Sequence, residues 1–584
     1  MTSTNANARR AAASRGTATW RGTSGAPAPR PPRASWMRYR TAVSSVAAGI
    51  LAFVISWIDS WVPSFWGDEA ASIMSAHRPW SSLLSELGRV DAVHGTYYAL
   101  LHVWIDFFGA SQFSTRLPSA MAVGLAAAGV VVLVARYGGL RLGILSALVF
   151  AVLPRTTYMG TEVRSYALGT AFAVWLAVLF LGLVTRRTTR VLPWAAFAVG
   201  FAACIYVFLY LALLALPFAA VLMWEARGRV AATAKALVRP SAAGTPDVAA
   251  LRGTIVRWML ASLGGIVLTA PLLVFALKEH GQIKFLGKHP GVDFFSFTVT
   301  QWFDYSWGVA ILAWSALVGL AVLGLLAWRR RRASGVRRML RTDRARLVLF
   351  AVAWLALPPV ALLILNAFVP AYTVRYMSFT TPGFAILIAL AIELAARWLV
   401  SRSRAAGDVH RWGTAAIATV ASIVGVALVA AVAAPTYVAQ RGPYAKNGGS
   451  DWAEVASVVQ QHAHPGDDIV FDETTRPSRR PRLAMHLYPE QFADVVDVTL
   501  AIPYENRDSL WDKTYPIPEV AGRIEAGNGR VWLVEYRGPD KEDVVSSTGM
   551  RERMSDLRAL GFTLAKSYPL HRDVVYLFTR GAAS

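Results

Sequence analysis

The sequence predicts an α-helical protein that crosses a membrane many times and carries a small α/β domain near its C-terminal end. Three observations predict this fold class. The 584-residue chain is 55% hydrophobic and only 16% charged, with a mean hydropathy of +0.40. Apolar runs long enough to span about 30 Å of hydrocarbon recur from residue 41 to residue 434. Beyond residue 450 the pattern becomes that of alternating helices and strands.

The charge pattern is that of a membrane protein and does not indicate nucleic-acid binding. The net charge is +23, but the Arg residues fall in short runs between the apolar segments and not on one face. The single cysteine, Cys204, lies inside an apolar run. The chain therefore has no disulfide pair and no Cys-based metal site, and any metal would need oxygen or His ligands.

Residues 1–40 are rich in Ala, Ser, Pro and Arg and contain no acidic residue. This composition predicts a disordered cytoplasmic tail. A cleaved signal peptide is not expected, because the apolar run begins late and no small-residue cleavage site precedes the first acidic residues.

We predict about 11 membrane spans within a transmembrane domain at 41–440. A long polar and aromatic outer loop, residues 62–115, follows the first span. The predicted spans are 41–61, 116–135, 142–157, 165–184, 191–206, 208–224, 255–277, 307–328, 346–366, 377–398 and 412–434.

The distribution of Arg predicts the orientation of the chain. If the N-terminus is cytoplasmic, every turn on the cytoplasmic side is rich in Arg, as the positive-inside rule requires. The segment Thr96 to Gly109 is short and amphipathic, which favours a helix lying at the interface. The alternative, a tilted and shortened span, would move the later Arg clusters to the outer face.

The C-terminal residues 450–584 are predicted to form an extracytoplasmic α/β domain. A helix is predicted from Trp452 to about His462, and another from Val544 to Leu560. The domain has no Gly-rich phosphate loop and no evident catalytic cluster, so we expect a structural or acceptor-binding role. The predicted strands are Asp468 to Phe471, Arg530 to Tyr536, Phe562 to Tyr568 and Val574 to Thr579.

Asp68 and Glu69 follow the first span directly and are the strongest candidates for chemistry. Such a pair can supply a catalytic base or a metal ligand, or the two residues can be ordinary polar residues of a loop between spans. Basic residues on the same outer face need a reason, because the positive-inside rule disfavours them there. They either bind an anion or snorkel to lipid headgroups. The cations in question are Arg164, Lys278, Lys284 and Arg375.

Carboxylates and cations around one outward cavity suit the transfer of a sugar from a lipid-phosphate donor. Asp68 or Glu69 could remove the proton of the acceptor hydroxyl, and the cations could bind the departing phosphate. Arg suits phosphate because its planar fork donates two hydrogen bonds at once. No cofactor is required by this chemistry. A divalent metal at Asp68 and Glu69 is possible and is not expected.

Four stretches carry a family resemblance. They are GDE after the first span, VHGTYYALLHVWIDFFGASQFSTRLPSA, YMGTEVRSYALG and VRYMSFTTPGFAILIALA. In this order they resemble the C-type (GT-C) integral-membrane glycosyltransferases. The nearest branch contains protein O-mannosyltransferases, aminoarabinose transferases and actinobacterial polyprenol-phosphate-mannose mannosyltransferases. The resemblance covers about residues 60–400, and the stretch after Asp451 is similar to a tail found in bacterial members.

The resemblance implies roles for particular residues. Asp68 becomes the catalytic base, with Glu69 beside it to orient it, to contact the acceptor or to hold an optional metal. Where members of the branch often have His-Pro-Pro or Lys-Pro-Pro, this chain has His94, Gly95 and Thr96. The resemblance adds Tyr166 and Tyr376 to Arg164 and Arg375 at the donor phosphate. Contacts with the acceptor or the sugar are expected from His94, Tyr97, Tyr158 and Tyr372.

The implied partners are a polyprenyl-phosphate sugar, with mannose favoured, and a glycan, glycolipid or protein acceptor in the cell envelope. Two other classes of function remain. A transporter or flippase of lipid-linked or anionic substrates would use charges inside the spans, yet the spans contain almost no Asp, Glu or Lys, and no repeat is visible. A scaffold or sensor would leave the Asp, Arg and Tyr residues unexplained. Convergence of Asp68, Arg164 and Arg375 on one cavity would favour the enzyme.

Overall fold

The computed structural model describes residues 32–237, 246–279, 281, 293–330, 343–405, 411–446, 448–538 and 548–581. Residues 1–31 of the predicted N-terminal tail and the candidate cation Lys284 lie outside the described residues. Residues 32–40 begin the first helix, so the disorder predicted there is corrected.

The chain is a multi-pass α-helical membrane protein, and helices make up most of the described residues between 32 and 440. Short single-turn segments at Leu209–Leu214, Ser296–Thr300 and Val374–Thr380 join some of these helices. The helices are α1 Pro32–Trp57, α2 Gly67–His77, α3 Trp80–Leu87, α4 Gly95–Phe108, α5 Gln112–Gly138, α6 Leu140–Val152, α7 Pro154–Met159, α8 Tyr166–Arg186, α9 Val191–Val207, α10 Ala215–Leu237, α11 Pro246–Leu268, α12 Ala270–Lys278, α13 Gln301–Phe303, α14 Trp307–Arg330, α15 Asp343–Asn366, α16 Thr381–Ala405 and α17 Arg411–Ala439.

Apolar helices occupy all of the predicted spans. Within the described part of the chain, nine helical segments are long and apolar enough to cross a membrane. The two shorter apolar helices, α6 and α9, occupy the third and fifth predicted spans. The 13 residues of α6 rise about 20 Å, so the third span is shorter than the sequence predicted.

Proline accounts for two of the differences from the predicted spans. The run 142–157 was predicted as one helix, but α6 ends before Leu153, and Pro154 begins α7. The run 255–277 is likewise divided at Thr269, with Pro271 in the first turn of α12. Proline restricts the residue before it to an extended conformation and cannot donate the helical hydrogen bond, so it starts a new helix more readily than it continues one.

The first span packs closely against α5. A Cβ atom at Gly124 would lie 2.7 Å from the carbonyl oxygen of Gly49, so no larger residue fits at this crossing without a shift of backbone. Small residues at such crossings let two helix backbones approach each other in a membrane.

The outer loop contains α2, α3 and α4. Helix α4 is amphipathic, as predicted: Tyr98 and Leu101 are buried, whereas Leu100 and Phe107 are exposed on the opposite face. A strip of exposed apolar side chains suits a helix at the edge of a bilayer.

The C-terminal part is a small α/β unit, as predicted. Its helices are α18 Trp452–His462, α19 Leu483–Leu487, α20 Ala521–Glu525 and α21 Thr548–Ala559. Its strands are β1 Asp467–Phe471, β2 Val495–Asp497, β3 Leu500–Ile502, β4 Lys513–Thr514, β5 Arg530–Tyr536, β6 Phe562–Pro569 and β7 Asp573–Arg580.

Five strands form one sheet in the order β2-β1-β5-β7-β6. Strand β1 pairs in parallel with β2 and β5, whereas β7 is antiparallel to β5 and β6. Strands β3 and β4 form a separate antiparallel pair. The sequence missed β2, β3 and β4, because two or three residues show no readable alternation of apolar and polar positions.

The outer loop and the C-terminal unit share one hydrophobic core. Side chains of α2 and α4, such as Ile73 and Leu101, cluster with Trp452 and Val455 of α18 and with Trp532 of β5. The other face of the sheet packs against α21. The C-terminal unit is therefore built onto the outer loop and is not an independent appendage.

Candidate active site

Asp68 lies in the first turn of α2, where the chain turns from an extended residue, Trp66, into the helix. Most of α2 is buried, but the Asp68 side chain keeps 26% of its surface exposed. The unpaired amides of a helix N-terminus favour a carboxylate at this position. Asp68 is thus held by a buried helix while its carboxylate stays accessible.

Two arginines from different elements meet the Asp68 carboxylate. Arg375 lies in the single turn Val374–Thr380 that precedes α16, and its Nη1 is 2.9 Å from Asp68 Oδ2. Arg164 lies in the loop between α7 and α8, and its Nη2 is 3.8 Å from the same oxygen. The structure therefore brings together the three residues whose convergence the sequence analysis required.

The arginines determine the charge of the carboxylate. Burial favours the neutral acid, but Arg375 and Arg164 outweigh it and hold the pKa of Asp68 below its ordinary value. Burial, assisted by Arg164, also lowers the pKa of His94 to about 4. At neutral pH the site thus contains an ionised carboxylate, two guanidinium groups and a neutral imidazole.

Glu69 points away from this cluster, and its expected place beside Asp68 in the catalytic machinery is corrected. It is fully buried, and its two oxygens accept hydrogen bonds from Nε and Nη2 of Arg116 at 2.9 and 2.6 Å. The backbone N–H of Val163 donates to the same carboxylate at 3.1 Å. Adjacent residues of a helix face directions about 100° apart, so only one of the two carboxylates can face the cavity.

Arg116 was quoted in the sequence motif but received no role. Besides Glu69, its guanidinium donates hydrogen bonds to the backbone carbonyls of Ser60 and Pro63, each at 2.7 Å. It therefore ties the end of the first span to α2. Glu69 and Arg116 form an anchor that fixes the turn from which Asp68 projects.

We expect Glu69→Gln to lower stability, because it leaves the Arg116 guanidinium buried without its counter-charge. Removing one partner of a buried ion pair costs about 3–5 kcal/mol. The neighbouring Asp68→Asn should lower the free energy of unfolding much less, because the Asp68 carboxylate is partly exposed. Thermal unfolding of both purified variants checks this expectation. Equal melting temperatures for the two variants would contradict the anchoring role of Glu69.

Two buried charges beside the cluster were not assigned a role from the sequence. Glu162 is 1% exposed, and no hydrogen bond to either of its oxygens is found among the described residues. Arg375 Nη1 lies 3.5 Å from Glu162 Oε1, so this guanidinium stands between two carboxylates. Burial raises the pKa of Glu162, although Arg375 and Lys446 oppose the shift.

Lys446 enters the site from the connection between α17 and α18. It is fully buried, and its ammonium donates to Thr161 Oγ1 at 2.9 Å and lies 4.5 Å from the ring centre of Tyr158. Burial lowers the pKa of Lys446 to about 8, despite the opposing influence of Glu69 and Glu162. Nothing in a loop sequence such as RGPYAKNGG distinguishes a buried lysine from a solvated one.

The lowered pKa of Lys446 predicts a pH-dependent stability. As the pH rises through about 8 the folded chain loses the Lys446 proton, whereas the unfolded chain keeps it up to about 10.4. Because the unfolded state then binds more protons, this residue favours folding increasingly with rising pH. The melting temperature of the wild type should therefore rise relative to that of Lys446→Met above about pH 8. A difference in melting temperature between the two proteins that does not change with pH would contradict the lowered pKa of Lys446.

Aromatic rings surround the Arg375 guanidinium. Its Cζ lies 4.7 Å from the ring centre of Trp66 and 5.9 Å from that of Tyr166. The ring of Tyr376 stacks on Tyr210 at 4.8 Å. Flat aromatic faces next to a cation suit a ligand that joins an anionic group to apolar and sugar carbons.

The predicted acceptor or sugar contacts divide into two groups. His94 and Tyr158 lie at the cluster, next to Arg164 and Lys446 respectively. Tyr97 and Tyr372 are 4% and 8% exposed, and the hydroxyl of Tyr372 donates to Gln301 Oε1 at 2.5 Å. Tyr97 and Tyr372 thus lie in the hydrophobic core, and their contacts with the acceptor or the sugar stay predictions.

Of the two lysines predicted at the donor phosphate, Lys278 is not placed at the Asp68 cluster. Lys278 is exposed at the end of α12, and its Nζ lies 5.6 Å from the ring centre of Phe275. Lys284 lies outside the described residues. The cations that contact the Asp68 carboxylate directly are Arg164 and Arg375.

A metal site at Asp68 and Glu69 does not fit the geometry. The Asp68 carboxylate forms ion pairs with Arg375 and Arg164, and the Glu69 carboxylate forms an ion pair with Arg116. Among the residues that the structure describes, no group of three or more His, Cys, Asp or Glu side chains is placed to hold an ion.

Comparison with known proteins agrees with the motif-based resemblance. Residues 96–241 match the family model described as dolichyl-phosphate-mannose-protein mannosyltransferase. The resemblance to the C-type membrane glycosyltransferases is thereby confirmed. No curated protein sequence matches the chain.

Solved structures of membrane transferases are similar in architecture. ArnT from Cupriavidus metallidurans in the apo state is 12% identical with a TM-score of 0.48, covering 94% of this chain and 98% of that one. The same protein bound to undecaprenyl phosphate is 11% identical with a TM-score of 0.47, covering 91% and 97%. The oligosaccharyltransferase of Archaeoglobus fulgidus tethered to an acceptor peptide is 12% identical with a TM-score of 0.44, covering 82% and 61%.

Proposed function

We propose that the chain transfers a sugar from a polyprenyl-phosphate donor to an acceptor hydroxyl. One observation carries the proposal: Asp68, Arg164 and Arg375, which are far apart in sequence, meet at one partly exposed carboxylate. A transporter needs charges distributed along its spans, whereas transfer chemistry needs a base and phosphate-binding cations at one point. The match of residues 96–241 to a family named for a dolichyl-phosphate-mannose donor supports the same class of donor.

In the proposed reaction Asp68 accepts the proton of the acceptor hydroxyl. The hydroxyl oxygen forms a bond to the anomeric carbon, and the bond between that carbon and the phosphate oxygen breaks. Its electron pair goes to the phosphate, whose added charge Arg375 and Arg164 stabilise by charge-assisted hydrogen bonds. Cations already held in place cost no reorganisation when that charge develops.

The proposal requires Arg375 to change partners. Without donor, its Nη1 is bound to the Asp68 carboxylate at 2.9 Å. The donor phosphate would compete for the guanidinium and release Asp68 for proton transfer. Glu162, 3.5 Å from the same nitrogen, would keep Arg375 close to the cavity during this exchange.

Mannose is the sugar we propose, because the matched family model is described by a mannose donor. The acceptor would be a glycan, a glycolipid or a protein of the cell envelope. Incubating membranes that contain the chain with labelled polyprenyl-phosphate mannose and identifying the product tests both points. Transfer from another polyprenyl-phosphate sugar, without transfer from the mannose donor, would overturn the choice of sugar. Cleavage of no donor would overturn the proposed function.

We also propose that the site faces the extracytoplasmic side, since the Arg-rich turns then lie in the cytoplasm. Reporter fusions after Gly449 and after Gly335 test this arrangement. The first should report the outer side and the second the cytoplasm. Fusions that report the same side would contradict the proposed topology.

A further inference from the structure

One segment of the C-terminal unit lies against the helix that carries Asp68. A Cβ atom at Gly67 would be 2.1 Å from the carbonyl oxygen of Ser478 and 2.8 Å from its Cβ, so the two backbones are in direct contact. Ser478 belongs to the stretch Glu473 to Arg482, ETTRPSRRPR, which we call the arginine segment. It contains four Arg and one Glu, and it reaches the residue next to the proposed base.

Two of the four arginines hold the segment in place. Arg482 is 3% exposed and forms ion pairs with Asp497 and with Glu473, the latter at 2.7 Å. Arg480 forms a second ion pair with Glu473 at 2.7 Å. Pro477 and Pro481 restrict the backbone further. The segment is thus fixed before any ligand binds, which lowers the entropy cost of binding.

The other two arginines have no carboxylate partner within the described part of the chain. Arg476 is exposed and makes no side-chain contact there, and Arg479 Nη1 donates to the Tyr536 hydroxyl at 3.2 Å. A hydroxyl orients a guanidinium without neutralising it. Arg476 and Arg479 therefore leave two positive charges on a rigid segment that contacts the residue before Asp68.

The position of these charges distinguishes them from the donor cations. Arg375 lies in the short helix Val374–Thr380 that leads into the membrane-spanning helix α16, and the proposed function places the donor phosphate there. The arginine segment belongs to the C-terminal unit and contacts α2 at Gly67, the residue before Asp68. An anion bound at the arginine segment would therefore belong to the acceptor, which reacts with the donor at Asp68.

We propose that Arg476 and Arg479 bind an anionic group of the acceptor, a phosphate or a carboxylate, and thereby place its hydroxyl against Asp68. This inference rests on the proposed function. Guanidinium groups bind such anions by paired, charge-assisted hydrogen bonds. The acceptor is accordingly a molecule that carries both a free hydroxyl and a negative charge. Loss of both arginines should raise the KM for such an acceptor about 10-fold or more.

The test uses the full chain in a neutral detergent, with inorganic phosphate as the probe at constant ionic strength. Hydrogen exchange of the arginine segment is followed in the wild type and in the double variant Arg476→Gln/Arg479→Gln. The matched control is Arg551→Gln/Arg558→Gln, which removes two exposed charges from α21 on the other face of the sheet. We expect phosphate to protect the segment in the wild type and the control, and not in the double variant. Absence of protection in the wild type, or equal protection in all three, would overturn the inference.

Two further measurements separate the possible causes of failure. In nanodiscs of phosphatidylcholine with and without phosphatidylglycerol, protection that follows phosphatidylglycerol and not phosphate would assign the segment to lipid headgroups and overturn the acceptor role. Release of polyprenyl phosphate from the donor by hydrolysis, in which water takes the sugar in place of the acceptor hydroxyl, reports the proposed function alone. That release should be the same in the wild type and in the double variant. If neither the wild type nor the double variant releases polyprenyl phosphate, the proposed function is overturned. Protection of the arginine segment by phosphate would then show anion binding without a role in sugar transfer.

Discussion

Asp68→Asn is expected to lower sugar transfer by about 10²- to 10⁴-fold, the usual contribution of a general base. The substitution keeps the size of the side chain and removes its ability to accept a proton. Arg375 and Arg164 hold the pKa of Asp68 low against the effect of burial, so the wild-type carboxylate is ionised at neutral pH. Expression and stability should change little, because the carboxylate is 26% exposed and Asn can still accept a hydrogen bond.

The assay compares transfer by purified wild type, Asp68→Asn and two controls. Asp106→Asn makes the same change on α4 at a side chain that is 64% exposed, and should leave transfer unchanged. Glu69→Gln should lower transfer less than Asp68→Asn does when the activity is expressed per amount of folded protein. Near-normal transfer by Asp68→Asn would contradict the role of Asp68 as the base. A larger loss of transfer per folded protein in Glu69→Gln would assign that role to Glu69.

Arg375→Ala is expected to lower transfer by about 10- to 150-fold, because it removes a charge-assisted phosphate contact that contributes about 1.5–3 kcal/mol. It also removes the nearer of the two cations that hold the pKa of Asp68 down. Arg375→Lys should recover only part of the loss. An ammonium group lacks the planar fork that can bind phosphate by two parallel bonds, and it cannot place a flat guanidinium against the ring of Trp66.

The alternative for Arg375 is that it only fixes a helix end at the lipid headgroups, for which Lys would serve equally well. The donor KM and kcat of Arg375→Lys and Arg375→Ala separate the two explanations. Arg402→Lys is the matched control, since Arg402 lies 5.0 Å from the ring centre of Trp398 in the last turn of α16, outside the cluster. A fully active Arg375→Lys would support anchoring and contradict phosphate binding.

The sequence predicted the fold closely where the hydrophobic pattern is long. Helix α18 and strand β5 have the predicted bounds, because each has clear end signals and a strong pattern. The breaks at Pro154 and Thr269 were missed, since a continuous apolar run conceals a change of helix direction. How the C-terminal unit sits on the outer loop could not be predicted, because the shared core joins residues about 400 positions apart.

The site was predicted in part. Asp68, Arg164 and Arg375 were found because a short motif, the loop positions and the charge bias all indicated one face. The partner of Glu69 was not foreseen, because pairing with Arg116 depends on where α5 begins relative to α2. Lys446 and the arginine segment were missed for a different reason: Lys446 meets Thr161, and Ser478 meets Gly67, only when parts of the chain that are distant in sequence have folded together.

The most direct test of the central claim is the affinity for a polyprenyl phosphate, such as undecaprenyl phosphate, of three purified proteins: the wild type, Asp68→Asn and Arg375→Ala. The account assigns proton transfer to Asp68 and phosphate binding to Arg375. It predicts that Asp68→Asn binds the lipid phosphate at least as tightly as the wild type, because a competing carboxylate has been removed from Arg375. It predicts a dissociation constant at least about 10-fold higher for Arg375→Ala. Equal affinity in all three proteins, or loss of binding in Asp68→Asn alone, would contradict that division of roles.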